Sequence, residues 1–442
     1  MNNLFPPPKK NASSETVNTR PEKAILVSVI LDEGFGMDPD ASLDELEALL
    51  NTAGGVSVGR VVQTRHAPEH ATYIGSGKLE ELYQLCRIRL ADLVVFDCEL
   101  TPSQIQNLEN TLQDVRVIDR TMLILDIFAM RAKSSEGILQ VSIANLKYSL
   151  PRLTGQGKDL SRLGGGIGTR GPGETKLETD RRHIKRKIQH LQEELSSLAR
   201  TRENQRKRSQ KSGLFQIALA GYTNAGKSTL LNRLCEENIY AEDQLFATLD
   251  PTTRRLRLPH FGEVLLTDTV GFINRLPHHL IEAFASTLDE VVFSDLVLLV
   301  MDASDPHFQQ KTDICESILL DLFKKRNVLP PPFLYVLNKA DRPESIFTVR
   351  TFPAAKNHVS ISAKTGEGTS DLLTQIDAVL SQQKRPCTFF LPHEEAGRLS
   401  YLYQVALVQE VEYETDGIRI RAVCDAKTRG VLLPYLMTEK ET

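Results

Sequence analysis

Residues 221–228 read Gly-Tyr-Thr-Asn-Ala-Gly-Lys-Ser, which is the complete pattern of a phosphate-binding loop. An apolar run, 215–220, precedes them and good helix formers follow, so the sequence predicts a strand, a tight turn and a helix. Glycines in such a turn let backbone N–H groups approach phosphate oxygens, and the start of the helix adds unpaired donors. The predicted nucleotide contacts are Gly221, Tyr222, Thr223, Asn224, Ala225, Gly226, Lys227, Ser228 and Thr229.

Two short motifs at the ends of later apolar runs indicate which base is bound. Asn338-Lys339-Ala340-Asp341 follows the run 333–337, and Ser362-Ala363-Lys364 follows 358–361. The carboxylate of Asp341 can accept hydrogen bonds from both N1–H and N2–H₂ of guanine, a donor pair that adenine lacks. A backbone N–H of the second motif can meet guanine O6. The sequence therefore predicts GTP and GDP as ligands, with contacts from Asn338, Lys339, Asp341, Ser362, Ala363 and Lys364.

The segments that would sense the γ-phosphate lie between these motifs. Asp268 is predicted to hold Mg²⁺ through water, and the Gly271 N–H to contact the γ-phosphate. Ser228 and Thr248 are the predicted Mg²⁺ ligands, although Thr252 and Thr253 compete with Thr248 for this role. The candidate catalytic residues are Lys227, Thr248 and Gly271.

Phe272 follows Gly271, at the position where many GTPases place a glutamine that orients the attacking water. A phenyl ring cannot form that hydrogen bond. We therefore expect slow intrinsic hydrolysis until a partner orders the site, which is the behaviour of a switch.

Composition limits the class of protein. A chain of 442 residues is expected to contain about three domains. Its 41% hydrophobic and 25% charged residues are typical of a soluble globular protein, and no apolar run is long enough to span a bilayer. The six cysteines include no C-x-x-C pair, which favours a reducing, cytoplasmic location without disulfides or zinc.

The predicted fold class is α/β: a P-loop GTPase domain, an N-terminal parallel α/β domain, a helical-hairpin arm and a small α+β C-terminal module. Strand-like and helix-like segments alternate in the N-terminal part. There, Gly75-Ser76-Gly77-Lys78 lacks the first glycine and the final Ser or Thr of a phosphate loop, so we interpret it as a turn that starts a helix, with weak phosphate or RNA contact left open. The predicted division is a disordered tail (1–22), the N-terminal domain (23–130), the arm (131–211), the GTPase domain (212–384) and the C-terminal module (385–442).

The arm is predicted from leucine and isoleucine residues at alternating spacings of three and four, in 139–153 and 177–198. These two heptad stretches flank a glycine-rich segment and should pack as an antiparallel hairpin. Pro151 should bend or end the first helix. No glycine or proline interrupts 174–212, so the second helix should run for about 35 residues.

The tip and second helix of the arm are basic. Residues 150–211 contain sixteen Lys and Arg against seven Asp and Glu, whereas the whole chain has a net charge of −4. Eight glycines lie within 155–173, and small residues with positive charge suit a narrow, anionic pocket of folded RNA. A solvated basic helix with a flexible loop is the alternative. The predicted RNA contacts are Gly164, Gly165, Gly166, Arg170, Lys176, Arg181 and Arg182.

These motifs together resemble the HflX family of bacterial GTPases, in the Obg-like branch of translation GTPases. The resemblance covers nearly all of residues 23–384 and rests most specifically on the tip, 164–182, with support from 73–78, 246–254 and 268–272. It implies a GTPase that binds the large ribosomal subunit, places its arm near the peptidyl-transferase region and separates stalled or idle ribosomes, often under stress. It also implies that the ribosome stimulates hydrolysis.

We therefore expect a cytoplasmic GTP hydrolase that switches on the ribosome, with GTP, GDP and Mg²⁺ as ligands and ribosomal RNA of the large subunit as a partner. The projecting arm favours a monomer. Three alternatives stay open: an RNA-dependent NTPase or helicase that uses residues 23–130, a ribosome assembly factor, and an adaptor in which GTP only stabilises the fold.

Overall fold

The computed structural model describes residues 20–31, 38–154, 172–211, 214–235, 245–246, 249–259, 262–275, 285–382, 385–424 and 426–437. It confirms the predicted α/β class, with a phosphate-loop domain between an N-terminal parallel-sheet domain and a small C-terminal module. Most of the tail predicted for 1–22 lies outside the described residues.

The N-terminal domain is a four-stranded sheet of order β2-β1-β3-β4 in which every pair is parallel, as predicted. Residues of β3 are buried throughout, because helices cover both faces of the sheet. Thr101 caps one helix through a capping box and Asp119 caps the last. The elements are β1 (Lys23–Leu31), α1 (Pro39–Thr52), β2 (Val56–Arg65), α2 (Ser76–Arg89), β3 (Leu93–Phe96), α3 (Pro102–Leu112), β4 (Arg116–Asp119) and α4 (Arg120–Arg131).

The arm consists of α5 (Ser135–Ser149), a 3-10 turn (Leu150–Thr154) and α6 (Pro172–Lys211). Pro151 lies in the 3-10 turn, so α5 ends before it, as predicted. Helices α5 and α6 pack together, with Ile143 and Ile188 buried, and the 40 residues of α6 agree with the predicted long helix. The glycine-rich tip, 155–171, lies outside the described residues.

The GTPase domain has a six-stranded sheet of order β10-β9-β8-β5-β7-β6, in which the edge strand β6 is antiparallel and the other pairs are parallel. The carboxyl ends of the parallel strands therefore meet at one edge, which is where ligands bind in such sheets. The elements are β5 (Phe215–Gly221), α7 (Lys227–Cys235), β6 (Thr252–Leu258), β7 (Gly262–Asp268), α8 (Ala285–Val292), β8 (Leu296–Asp302), α9 (Phe308–Arg326), β9 (Phe333–Asn338), α10 (Ser345–Thr351), β10 (His358–Ser360) and α11 (Thr369–Ser381).

The C-terminal module is an antiparallel sheet of order β11-β13-β12 with two short helices. Asp416-Gly417 lies between two strand-like runs and predicts a hairpin, which is present, whereas the sequence does not predict the first strand of the sheet. Its elements are β11 (Arg385–Pro392), α12 (Arg398–Val405), β12 (Leu407–Tyr413), β13 (Gly417–Cys424) and α13 (Ala426–Val431). Among the helices that the structure describes, none has the length and apolar character needed to cross a membrane.

Candidate nucleotide site

The phosphate loop connects β5 to α7 and depends on its two glycines. Gly221 has φ +150°, and a Cβ there would lie 2.1 Å from the carbonyl oxygen of Val300. Gly226 has φ +92°, and a Cβ there would lie 2.3 Å from Nδ2 of Asn338. Glycine is therefore required at both positions, because the Val300 backbone approaches too closely at Gly221 and the Asn338 side chain at Gly226.

Lys227 is the first residue of α7 and is 7% exposed. Its Nζ donates to the carbonyl oxygens of Gly221, at 3.2 Å, and Tyr222, at 2.9 Å, so the ammonium group is held inside the loop. Burial lowers the pKa of Lys227 because the charged form loses its hydration. An ammonium group that is buried inside the loop in this way is strongly stabilised in its charged form by a bound phosphate anion.

The predicted Mg²⁺ site contains a matched pair of oxygens. Ser228 Oγ donates to Asp268 Oδ2 at 2.6 Å, and Asp268 is 1% exposed at the end of β7. Hydroxyl and carboxylate oxygens are the ligands that Mg²⁺ prefers, so these residues fit the ion, which would neutralise phosphate charge when bound. Thr248 lies outside the described residues. The competing Thr253 Oγ1 lies 2.9 Å from Thr267 Oγ1 within the sheet.

Asn338 joins the phosphate loop to the guanine loop. Its Nδ2 donates to the carbonyl oxygen of Ala225 at 2.8 Å, and its Oδ1 accepts from the Ala363 N–H at 2.9 Å. The Ala363 N–H is thus engaged within the protein in this structure. Both ends of the nucleotide site therefore depend on one buried amide.

The remaining guanine-motif residues lie at the same sheet edge. Lys339 Nζ is 2.6 Å from Asp302 Oδ2 at the end of β8. Asp341 is exposed, and the Ser362 hydroxyl that donates to it holds the pKa of Asp341 below its usual value. The carboxylate is therefore ionised and accessible, as recognition of guanine requires. The adjacent Lys364 is also exposed.

Arg233 on α7 supports the guanine loop and was not predicted. Its Nε donates to the carbonyl oxygen of Ala363 at 3.2 Å, and its Nη2 to that of Lys364. An arginine on the helix after a phosphate loop carries no motif, so the sequence offered no signal for this contact.

The segment after Asp268 lies directly against the phosphate loop. The Thr223 N–H donates to the carbonyl oxygen of Phe272 at 2.7 Å, and the Phe272 N–H donates to that of Gly221 at 3.0 Å. A Cβ at Gly271 would lie 2.9 Å from Lys227 Nζ and 2.9 Å from Thr223 Cα. Gly271 and Lys227, both predicted near the γ-phosphate, are therefore brought together.

Comparison with known families covers almost the whole chain. Consecutive family models match residues 40–129 (GTP-binding GTPase N-terminal), 131–209 (GTP-binding GTPase Middle Region), 216–339 (50S ribosome-binding GTPase) and 349–426 (HflX C-terminal domain). A GTPase HflX from Caldanaerobacter subterraneus subsp. tengcongensis is 47% identical over 411 residues, 92% of each chain. The chain belongs to the HflX family of GTPases. It is accordingly a GTP hydrolase.

Two further proteins are similar to this chain over most of its length. The GTPase HflX of Escherichia coli K12 is 40% identical over 398 residues, which is 90% of this chain and 92% of that one. A GTP-binding protein from the archaeon Sulfolobus solfataricus, solved in complex with GDP, is similar over 82% of this chain and 99% of its own, with 23% identity and a TM-score of 0.42.

In this HflX-family chain, both segments that flank the γ-phosphate position pack into the core of the N-terminal domain. The Phe246 ring meets the Phe128 ring of α4 edge to face, with centroids 4.6 Å apart. Val270 and Ile273, on either side of Gly271, belong to the same buried cluster. The predicted switch segments are thus part of the interface between domains.

Asp250 connects one of these segments to the arm. Its Oδ2 accepts from the N–H groups of Lys133, at 3.1 Å, and Ser134, at 2.8 Å, and its Oδ1 bonds to the Ser134 hydroxyl. Ser134 is the N-cap of α5. The chain two residues beyond Thr248 is therefore attached to the first helix of the arm.

A buried polar network joins the phosphate loop to the N-terminal domain. The Tyr222 hydroxyl donates to Glu45 Oε1 at 2.9 Å and accepts from the Asn274 N–H at 2.6 Å. Arg120 Nη2 lies 2.9 Å from Glu45 Oε2, and its Nη1 2.6 Å from Asp97 Oδ1, with all three charged side chains at most 8% exposed. The side chain of Tyr222 therefore faces the N-terminal domain, so only its backbone is available to a nucleotide.

This network was not predicted, although the sequence contains a weak signal for it. Arg120 begins the largely apolar helix α4, and such a charged residue is rarely buried unless it is paired, whereas Glu45 is one of four acidic residues of α1 and carries no signal of its own. Their partners are distant in sequence, with 177 positions between Glu45 and Tyr222. The contact between Glu45 and Tyr222 could therefore not be predicted from the sequence.

The predicted RNA contacts fall in two groups. Arg182 on α6 is exposed and Arg181 is half-buried, while Lys176 lies within the same helix. Gly164, Gly165, Gly166 and Arg170 lie outside the described residues. In the N-terminal domain, Gly75 precedes α2 as predicted, and Lys78 Nζ lies 2.7 Å from Glu81.

Proposed function

We propose that this GTPase is a nucleotide-dependent switch that binds the large ribosomal subunit and separates stalled or idle ribosomes. It acts as a monomer in the cytoplasm, with Mg²⁺ bound beside the γ-phosphate by Ser228, Asp268 and Thr248. The match of residues 216–339 to a model described as a 50S ribosome-binding GTPase supports the choice of partner.

The observation that carries the proposal is the attachment of Asp250 to the N-terminus of α5. GTP-dependent switches work because loops around the γ-phosphate have a different arrangement after hydrolysis. Here such a loop is flanked by Phe246, which is buried in the N-terminal core, and by Asp250, which binds the N-cap residue of α5, Ser134. A change of the bound nucleotide therefore alters the anchor of the arm.

The surface of the arm supports RNA as its target. On α6, Arg182, Lys185, Arg186 and Lys187 are all exposed, whereas Ile184 and Ile188 face inward. Exposed cations along one helix attract the phosphate backbone of RNA, and the sequence of residues 155–171 is also basic and glycine-rich. The arm is thus the element that reaches ribosomal RNA.

Ribosome splitting provides the direct experiment. Light scattering of 70S particles is recorded after addition of the full chain with GTP, and again with a variant in which Gly164, Gly165 and Gly166 are replaced by leucine. We expect the variant to lose splitting while its GDP affinity stays unchanged. Equal splitting by both proteins would exclude the tip from the mechanism.

The alternative of an RNA-dependent NTPase in the N-terminal domain receives no support from the loop before α2. The Gly75 N–H donates to Gln63 Oε1 at 3.0 Å, and Lys78 is paired with Glu81. Both groups that a phosphate would need are engaged. Photocrosslinking of a nucleotide analogue should therefore label the loop around Lys227 and leave that around Lys78 unlabelled.

A further inference from the structure

Thr223, in the phosphate loop, carries a buried side-chain hydroxyl. The residue is 7% exposed, and within the described part of the chain its Oγ1 has no hydrogen-bond partner. Other hydroxyls around it are engaged, since Ser228 donates to Asp268 and Thr269 donates to the carbonyl oxygen of Leu219 at 2.6 Å. Burial of a hydroxyl without a hydrogen-bond partner is unfavourable, so it calls for an explanation.

The side chain of Thr223 lies beside the groups expected at the γ-phosphate. A Cβ at Gly271 would meet Thr223 Cγ2 and Lys227 Nζ, each at 2.9 Å. The Thr223 hydroxyl is attached to the same Cβ as that methyl group. Its backbone N–H is bonded to the Phe272 carbonyl oxygen at 2.7 Å, which fixes the residue against this segment.

The reaction needs a group at this place that Phe272 does not supply. The Phe272 side chain is 1% exposed and packs with Tyr222, Leu288 and Val291 in the core of the GTPase domain. It therefore lies away from any water at the phosphate, and its ring has no hydrogen-bonding atom.

We propose that the Thr223 hydroxyl orients the water that attacks the γ-phosphate of GTP. It accepts a hydrogen bond from that water and keeps its own proton. The water oxygen forms the new bond to the γ-phosphorus, the bond to the β–γ bridging oxygen breaks, and the proton of the water passes to a phosphate oxygen. The proposal rests on the GTPase activity and is independent of the ribosome.

Single-turnover hydrolysis of GTP by the purified full chain tests this role. Thr223→Val keeps the branched shape and removes the hydroxyl, so we expect the rate to fall by about 100-fold. The dissociation constants for GDP and a non-hydrolysable GTP analogue should stay unchanged. Thr223→Ser, which restores a hydroxyl, should recover most of the rate.

A matched control is Thr374→Val on α11, where the hydroxyl bonds only to the Ser370 carbonyl oxygen of its own helix, at 2.9 Å. Its rate should equal that of the parent. If the Thr223→Val protein does not fold, Thr223→Ala and Thr223→Ser give the same comparison. The proposal is wrong if the variants without the hydroxyl hydrolyse GTP at the parental rate, or if rate and nucleotide affinity fall together.

Discussion

Replacement of Gly226 by alanine tests whether the phosphate loop and the guanine loop are joined through Asn338. At φ +92° an alanine is strained, which costs about 1–3 kcal/mol. The new methyl group would also lie 2.3 Å from Asn338 Nδ2, far inside van der Waals contact, so the amide must move. Its bonds to Ala225 and Ala363 would then be lost.

A matched control separates the backbone strain from the loss of the Asn338 hydrogen bonds. Gly262, the first residue of β7, has φ +95°, and a Cβ there would have no neighbour within 4 Å. Gly262→Ala therefore carries the backbone strain alone and should lower stability without changing GDP affinity. Gly226→Ala carries the strain and in addition loses two buried hydrogen bonds, each worth about 0.5–1.5 kcal/mol.

The expected loss of GDP affinity comes from the two lost hydrogen bonds of Asn338. Together, about 1–3 kcal/mol corresponds to roughly 5- to 150-fold weaker binding of GDP. Titration with a fluorescent GDP derivative measures it, and urea unfolding of both variants shows the shared strain. If Gly226→Ala bound GDP as tightly as Gly262→Ala, the coupling through Asn338 would be refuted.

For three further substitutions the structure determines the direction of the effect on stability or binding. Arg120→Met removes the ion-pair partner of buried Glu45 and one of the two arginines beside buried Asp97, which keeps Arg275 at 3.5 Å. It should cost about 3–5 kcal/mol in urea unfolding, whereas the exposed pair broken by Arg255→Met should cost less than about 1 kcal/mol; equal losses would contradict the burial argument. Asp341→Asn replaces an acceptor by a donor and should shift preference from GTP to xanthosine triphosphate in competition binding; unchanged preference would remove Asp341 from base recognition. The pKa of Lys227 is lowered below 10.5, so the unfolded chain binds more protons there than the folded one. The nucleotide-free protein should therefore gain stability as the pH rises toward 10.5. Lys227→Met should remove this pH dependence of stability and abolish GDP binding, and an unchanged pH dependence would show that the ammonium is not desolvated.

The candidate nucleotide site could be predicted from the sequence because its motifs are local. The residues from 221 to 228 fix a turn within eight positions, and the guanine motifs directly follow apolar runs that form β9 and β10. Apolar spacing likewise predicted the long helix α6. In each case the physical constraint acts within one element, so no tertiary information was needed.

The contacts between domains could not be predicted in this way. Glu45 and Tyr222 are 177 positions apart, and their hydrogen bond exists only because α1 packs beside the phosphate loop. Asp250 follows a predicted switch residue, yet its role as a partner of Ser134 depends on where α5 begins. Strand β11 was missed since its sequence has two prolines and two adjacent phenylalanines and no clean alternation of polar and apolar residues.

Pelleting with isolated large ribosomal subunits tests the central claim, that the nucleotide beside Lys227 controls how the arm is presented to ribosomal RNA. The full chain is sedimented with GDP, with a non-hydrolysable GTP analogue and without nucleotide, alongside a variant that lacks residues 155–171. We expect the GTP analogue to give the most pelleted protein and the deletion to remove that excess. Equal amounts in all three nucleotide states, unaffected by the deletion, would contradict the account.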